Sequence, residues 1–229
     1  MQFKPNFDLI VPWEDAIRPL QRMPYVAVFR KDNKVLVYAC DKHMANISFD
    51  MVDFCFGENA PAVPQIAVVE YRNSGRTPGS FSFQDNSLTY AAAVADKKGL
   101  PVVFADLSDE EMLNVLRRHF PDRGFIADDL RKILTAGGPS KKKGEYNMLD
   151  WSLEMYGRDP FMISNIAAAL NKYDVVFAIF GEGHYRSHRL VLEDMMGTPE
   201  YIIEFPNTRA DFSGMEIKPI ILVEFDSGK

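Results

Sequence analysis

Two short stretches carry residue types that chemistry at neutral pH commonly uses. CDKH supplies Cys40, Asp41 and His43, and GEGH supplies Glu182 and His184. Each follows an apolar run, VLVYA or VVFAIF, with a small residue, an acid, one further residue and a histidine. Two more apolar runs end in polar groups: QIAVVEYR gives Glu70 and Arg72, and LPVVFAD gives Asp106. Imidazoles gathered with carboxylates suit a borderline divalent ion such as zinc, manganese or iron. An ion held by His43, His184 and Glu70 would keep positions open for water and lower that water's pKa towards neutrality. The glycines at Gly181 and Gly183 would permit an unusual backbone or the close approach of a ligand. His188, four residues after His184 in HYRSH, would share a face with it if both were helical. The glutamate of the HExxH metalloprotease motif is missing from that segment.

Each candidate has a plainer reading. A histidine after a strand commonly does no more than hydrogen-bond within a loop. Glu70 could pair with Arg72 or Arg76, Asp106 could cap the next helix, and Asp41 and Glu182 could orient ligands rather than bind an ion. His188 is expected at a pocket edge or on the surface, and His119, in RRHF, reads as structural.

The elements that must position these residues follow from hydrophobic patterning. YVAVF and KVLVYA flank an Asp-Asn turn and read as a hairpin over about 25–39. Strands are expected from Gln65, Leu100, Asp174, Tyr201 and Ile217, most of them continuously apolar, as strands covered on both faces are. Between them, NSLTYAAAVADKKG fits a cap at Asn86 or Ser87 and a stop at Gly99, and SDEEMLNVLRRHF opens with a capping box of Ser108 and Glu111. RDPFMISNIAAALNKY is expected to form a helix with Asp159 as cap and Pro160 at its first position, and YRSHRLVLEDMMG runs to Gly197. Strands separated by helices imply an α/β fold: a layered, mixed but largely parallel sheet flanked by helices. Ligands bind such sheets beyond the carboxyl ends of the strands, where the polar groups above collect. The glycine- and lysine-rich stretch over about 135–147 reads as a solvated loop or a lid.

At 229 residues, 47% of them hydrophobic, the chain suits one α/β domain spanning 1–229. A net charge of −6 argues against nucleic acid as a partner. Two cysteines are too few for a disulfide framework and point to a reducing compartment. No apolar run approaches the ~20 residues of a membrane span, and no signal-peptide pattern opens the chain. A cytoplasmic protein without membrane contact is the expectation, with homo-oligomerisation left open.

The motif order resembles a known group. CDKHMAN, VVEYRNSGR, GLPVVFADLSDEE, GRDPFMISNIAAAL and VVFAIFGEGHYRSHRLVLED follow one another from about Val35 to Met196. That order is similar to the superfamily of TraB, the Tiki proteases, the erythromycin esterases and ChaN. The resemblance implies an EreA/ChaN-like fold with His43, Glu70 and His184 at the site centre. Arg72 and Arg158 would line it, and Glu182 would be an acid–base candidate. Cys40 departs from the pattern, standing where the group usually has glycine; it would crowd the turn or add a thiolate ligand.

Two functions follow as expectations. The first is a metal-dependent hydrolase of a small ester, amide or peptide. Its variant without metal uses a histidine as general base, oriented by Glu70. The second is a non-catalytic ligand-binding or protein-interaction module that keeps the fold, its apolar C-terminal strands offering an edge to a partner.

Overall fold

The computed structural model describes residues 2–12, 24–41, 48–72, 87–136, 145–205 and 220–224. Strands β1 (Tyr25–Lys31) and β2 (Lys34–Asp41) form the expected hairpin. Asp32 makes its tight turn at φ 53°, a left-handed conformation that aspartate tolerates better than most residues. β3 (Ile66–Arg72), β4 (Val102–Asp106), β5 (Val175–Gly181), β6 (Tyr201–Glu204) and β7 (Ile220–Glu224) complete a seven-stranded sheet in the order β4-β3-β5-β2-β1-β6-β7. The first four in that order run parallel, and β1, β6 and β7 join antiparallel. The sheet is thus mixed and layered, as the patterning implies.

Burial on both faces explains the continuous apolar runs. Along β2, Leu36, Tyr38 and Cys40 enter one core while Val35, Val37 and Ala39 enter the other. Helices α1 (Phe49–Phe56) and α2 (Ser87–Lys97) pack into the second core, and α6 (Asp159–Lys172) and α7 (Glu182–Met196) into the first. Fully burying one such aliphatic side chain contributes roughly 1.5–3 kcal/mol, so the central strands anchor the domain. A third cluster joins α3 (Asp109–His119), α4 (Ala127–Ala136) and α5 (Glu145–Leu153). The capping box at Ser108 is present, and α7 ends at Gly197, whose φ of 84° favours glycine.

Two expectations change here. The stretch expected as a loop over 135–147 is helical at both ends, since α4 reaches Ala136 and α5 begins at Glu145; 137–144 lie outside the described residues. Asp159 is not an N-cap. It has φ −59° and ψ −48°, helical values, because α5 runs through a π-helical turn at Glu154–Arg158 straight into α6. Pro160 supplies the physical reason. It has no N–H to give and its ring crowds the carbonyl four residues back, so the preceding turn widens instead of breaking. The Asp159 N–H then bonds the Glu154 carbonyl, five residues back.

Candidate functional site

The chain leaves β3 through α2 on one face of the sheet and leaves β5 through α7 on the other. The two strands are neighbours, so a crevice opens between their carboxyl ends, the place where open α/β sheets bind ligands. Glu70 stands at that end of β3. Its Oε2 accepts the Gly181 N–H at 2.7 Å, placing a carboxylate at the N-terminus of α7 where the helix favours negative charge. Its Oε1 lies 3.2 Å from His184 Nε2 and 3.3 Å from Arg158 Nη2.

His184 is clamped on its other side too. Its Nδ1 lies 2.7 Å from Asp159 Oδ1 and 3.6 Å from Glu154 Oε2. The same Asp159 oxygen lies 3.0 Å from His188 Nε2, and His188 Nδ1 lies 3.0 Å from the Tyr38 hydroxyl. Arg158 forks onto Asp106 through Nε at 2.8 Å and Nη2 at 2.9 Å, and its Nη1 bonds Glu154. The π turn therefore serves the site directly: it presents Glu154, Arg158 and Asp159 to the crevice from successive positions.

Electrostatics divide this cluster into a floor and an edge. Asp159 and His188 are buried at 1% and 0% exposure, while Glu70, Arg158, His184 and Glu154 keep 9–15% of their side chains exposed. Burial lowers the His188 pKa, so that imidazole is neutral. Burial also keeps the Tyr38 hydroxyl protonated. Its O–H donates to Nδ1, which makes Nε2–H the donor to Asp159. Burial works against charge on His184 as well, but Glu70, Glu154 and the Asp159 hydrogen bond outweigh it and raise its pKa well above the usual value. Burial likewise opposes charge on Asp159, and the two imidazoles overcome it, holding its carboxyl below the usual range. Glu154 goes the other way: burial pushes it up to about 7 against the pull of Arg158 and His184.

Carboxyl groups thus outnumber cations in the cluster, with Glu70, Asp106, Asp159 and a partly neutral Glu154 set against Arg158 and His184. Glu154 Oε2 is buried with no hydrogen-bond partner among the described residues. Both observations fit a site that takes a positive ion. The donor atoms of Asp159, His184 and His188 lie within 4.8 Å of one another, so this buried group could hold a metal ion. Binding there would require His188 to move its proton to Nδ1 and leave the Tyr38 O–H without its acceptor, at a cost of about 1–3 kcal/mol. At the Glu70–His184 edge Asp159 takes the Nδ1–H, and an ion at Nε2 would have to displace the proton that faces Glu70 while leaving the ring's other hydrogen bond intact.

Of the remaining expected site residues, Asp106 and His188 belong to the cluster and the other described ones lie apart from it. His43 lies outside the described residues, as does Arg76. Arg72 pairs with Asp109 at 3.0 Å on the rim. Asp41 is buried on the opposite face of the sheet and accepts the Ser87 hydroxyl at 2.5 Å. Glu182 opens α7, and its charge is felt at Cys40 and Tyr25. Cys40 is fully buried, and burial pushes its thiol well up, so it stays protonated rather than serving as a thiolate. Asp106 does not cap α3; it holds Arg158 and accepts the Leu107 N–H. His188, expected at an edge or on the surface, forms the floor of the site because α7 turns it inward beneath His184. His119 stacks on Tyr156 with ring centroids 4.4 Å apart. Gly181 has φ −60° and ψ 153°, values open to any residue, so no strained turn aims His184. Gly183 lies within α7 with open space where a Cβ would stand. Glu154 and Asp159 were missed as site residues; the proline after Arg158-Asp159 is the signal that could have found them.

No helix among the described residues is long and apolar enough to cross a membrane. No family model, curated protein or solved structure matches the chain.

Proposed function

We propose that the protein is a hydrolase of a small ester, amide or peptide, working at the Glu70–His184 edge with a divalent ion of the zinc, manganese or iron type. The observation that carries this reading is the clamped imidazole: His184 is held between Glu70 at 3.2 Å and Asp159 at 2.7 Å at the carboxyl ends of β3 and β5. Glu70 and His184 would hold the ion, which when bound supplies Lewis acidity and a more acidic water. Asp159 fixes the ring and its tautomer through Nδ1–H. Arg158, anchored on Asp106, brings a permanent positive charge within 3.3 Å of Glu70, where it can stabilise an oxyanion. The variant without metal is disfavoured because His184, flanked by carboxylates, keeps its proton at neutral pH and makes a poor base. Motif order, resembling that of the TraB and erythromycin esterase group, supports the same reading.

The test strips the protein with chelator and titrates zinc, manganese and ferrous ions by calorimetry into wild type and His184→Ala. One ion per chain, lost in the variant, is expected, together with turnover on an ester, amide and peptide panel that falls at least about a hundredfold in Glu70→Gln. Identical binding in wild type and variant, or turnover indifferent to Glu70→Gln, overturns the proposal.

A further inference from the structure

The buried side of the cluster holds two polar groups that the chemistry at its edge does not use. Tyr38 and His188 are both at 0% exposure. A phenylalanine and a leucine would fill the same space without taking a hydroxyl and an imidazole out of water, so their polarity needs a reason of its own.

Their hydrogen bonds supply one. The Tyr38 hydroxyl lies 3.0 Å from His188 Nδ1, and His188 Nε2 lies 3.0 Å from Asp159 Oδ1. The same oxygen meets His184 Nδ1 at 2.7 Å, and His184 Nε2 faces Glu70 at 3.2 Å. One run of side chains thus leads from the floor of the cluster to its edge. His184 and His188 are four residues apart on α7, so they share a face and can meet one carboxylate oxygen.

The run starts from a rigid point. Tyr38 sits on β2, between β1 and β5, and its ring lies against Phe180 and Tyr185 with centroids 5.5 and 5.1 Å away. His188 is walled by Phe180 at 5.8 Å and Tyr38 at 6.2 Å, each ring nearly edge-on. Its plane is therefore set by packing and by a hydrogen bond on each nitrogen. Asp159 is set less firmly, since among the described residues the two imidazoles are the donors to its Oδ1. Without His188, that oxygen would be held only by the ring it has to orient.

We infer that Tyr38 and His188 are positioning residues for His184. The hydroxyl fixes the His188 ring, the His188 Nε2–H fixes Asp159 Oδ1, and that oxygen turns His184 Nε2 towards Glu70. Neither residue touches substrate; both act through Asp159. What the positioning does for turnover rests on the hydrolase reading of the Glu70–His184 edge, whereas the hydrogen-bonded run stands without it.

The test reads the hold directly, by NMR of chelator-treated protein carrying isotope-labelled histidine. Exchange of the His184 Nδ1–H with water is measured, the signal being assigned by its loss in His184→Ala. His188→Leu fills the space but donates nothing, and His188→Gln carries an amide N–H that can stand in for Nε2–H. Tyr38→Phe keeps the ring and loses the hydroxyl. Exchange is expected to quicken at least about tenfold in His188→Leu and about three- to tenfold in Tyr38→Phe, and to stay within about threefold of wild type in His188→Gln. Exchange no faster in Tyr38→Phe than in wild type, or equally fast in His188→Gln and His188→Leu, overturns the inference. Thermal melts show which variants fold, and Tyr38→Phe, which differs by a single oxygen atom, carries the test if His188→Leu does not. Turnover on the ester, amide and peptide panel is measured alongside, and in His188→Leu kcat should fall about tenfold with KM moved less than about threefold. The exchange pattern without any turnover supports the positioning and defeats only the hydrolase reading. Turnover without the exchange pattern defeats only the positioning.

Discussion

Glu154→Gln should make the protein relatively more stable as pH rises, a result contrary to the usual cost of cutting an ion pair. Glu154 is bonded to Arg158, yet burial lifts its carboxyl from 4.5 to about 7. Between those values the folded chain holds a proton that the unfolded chain has already released. Stability falls with pH wherever the folded state binds more protons, so Glu154 destabilises the fold progressively through that window. A span of about 2.5 pH units at 1.36 kcal/mol each gives about 3 kcal/mol. Below the window Glu154 is a neutral acid in both states, which glutamine imitates in shape and in its acceptor for Arg158. The variant's stability relative to wild type should therefore rise by about 3 kcal/mol from below pH 5 to pH 8. Urea unfolding of both proteins, followed by circular dichroism with chelator present, measures the difference. A difference flat to within about 0.5 kcal/mol, or one that falls with pH, would refute the claim that burial outweighs Arg158 at this carboxylate.

Two further substitutions probe how the site is held. A Cβ at Gly157 would meet Val115 Cγ2 at 3.0 Å and Leu107 Cδ1 at 3.2 Å. Gly157→Ala should therefore cost about 1–3 kcal/mol despite alanine's better helix propensity. In a Val115→Ala background the cost measured by urea unfolding should fall, leaving only the Leu107 contact, and a cost that stays the same would exclude the Val115 clash as its cause. Ser108→Ala should cost about 1 kcal/mol by removing the side-chain half of the capping box at α3. The Ser108 hydroxyl and N–H hold the Glu111 carboxyl below its usual value. NMR titration should show it rising in the variant, and an unmoved Glu111 would contradict the bonding seen.

Which parts of this molecule were legible in its sequence follows from where the physics is local. The apolar runs of β2, β3 and β5 are continuous because both faces of those strands are buried, and a run of that kind can be read without coordinates. The capping box at Ser108 and the glycine stop at Gly197 are signals of a few residues each. Helices α1, α4 and α5 were not expected. FDMVDFCF is short and aromatic, and its helical state comes from packing Met51, Val52 and Cys55 against the sheet. Glu70 and His184, both named from the sequence, stand 3.2 Å apart because strand order brings the ends of β3 and β5 together. Their partners Asp159, Glu154 and Tyr38 belong to long-range contacts that spacing does not encode.

From the sequence Asp159 reads as a helix cap, and the structure puts its carboxylate to another use. Asp-Pro is a familiar helix start, and a capping aspartate would spend its carboxylate on its own backbone. Here the chain before Pro160 is already helical, so the backbone does not need that carboxylate. The π turn takes up the missing N–H of the proline and turns Asp159 towards α7, where both imidazoles find one oxygen. An aspartate with two histidine donors and almost no exposure cannot reach substrate. It can orient a ring, and by taking Nδ1–H it leaves His184 Nε2 beside Glu70, among the side chains that keep some exposure. The fully buried half of the cluster therefore specifies the chemistry available to the exposed half.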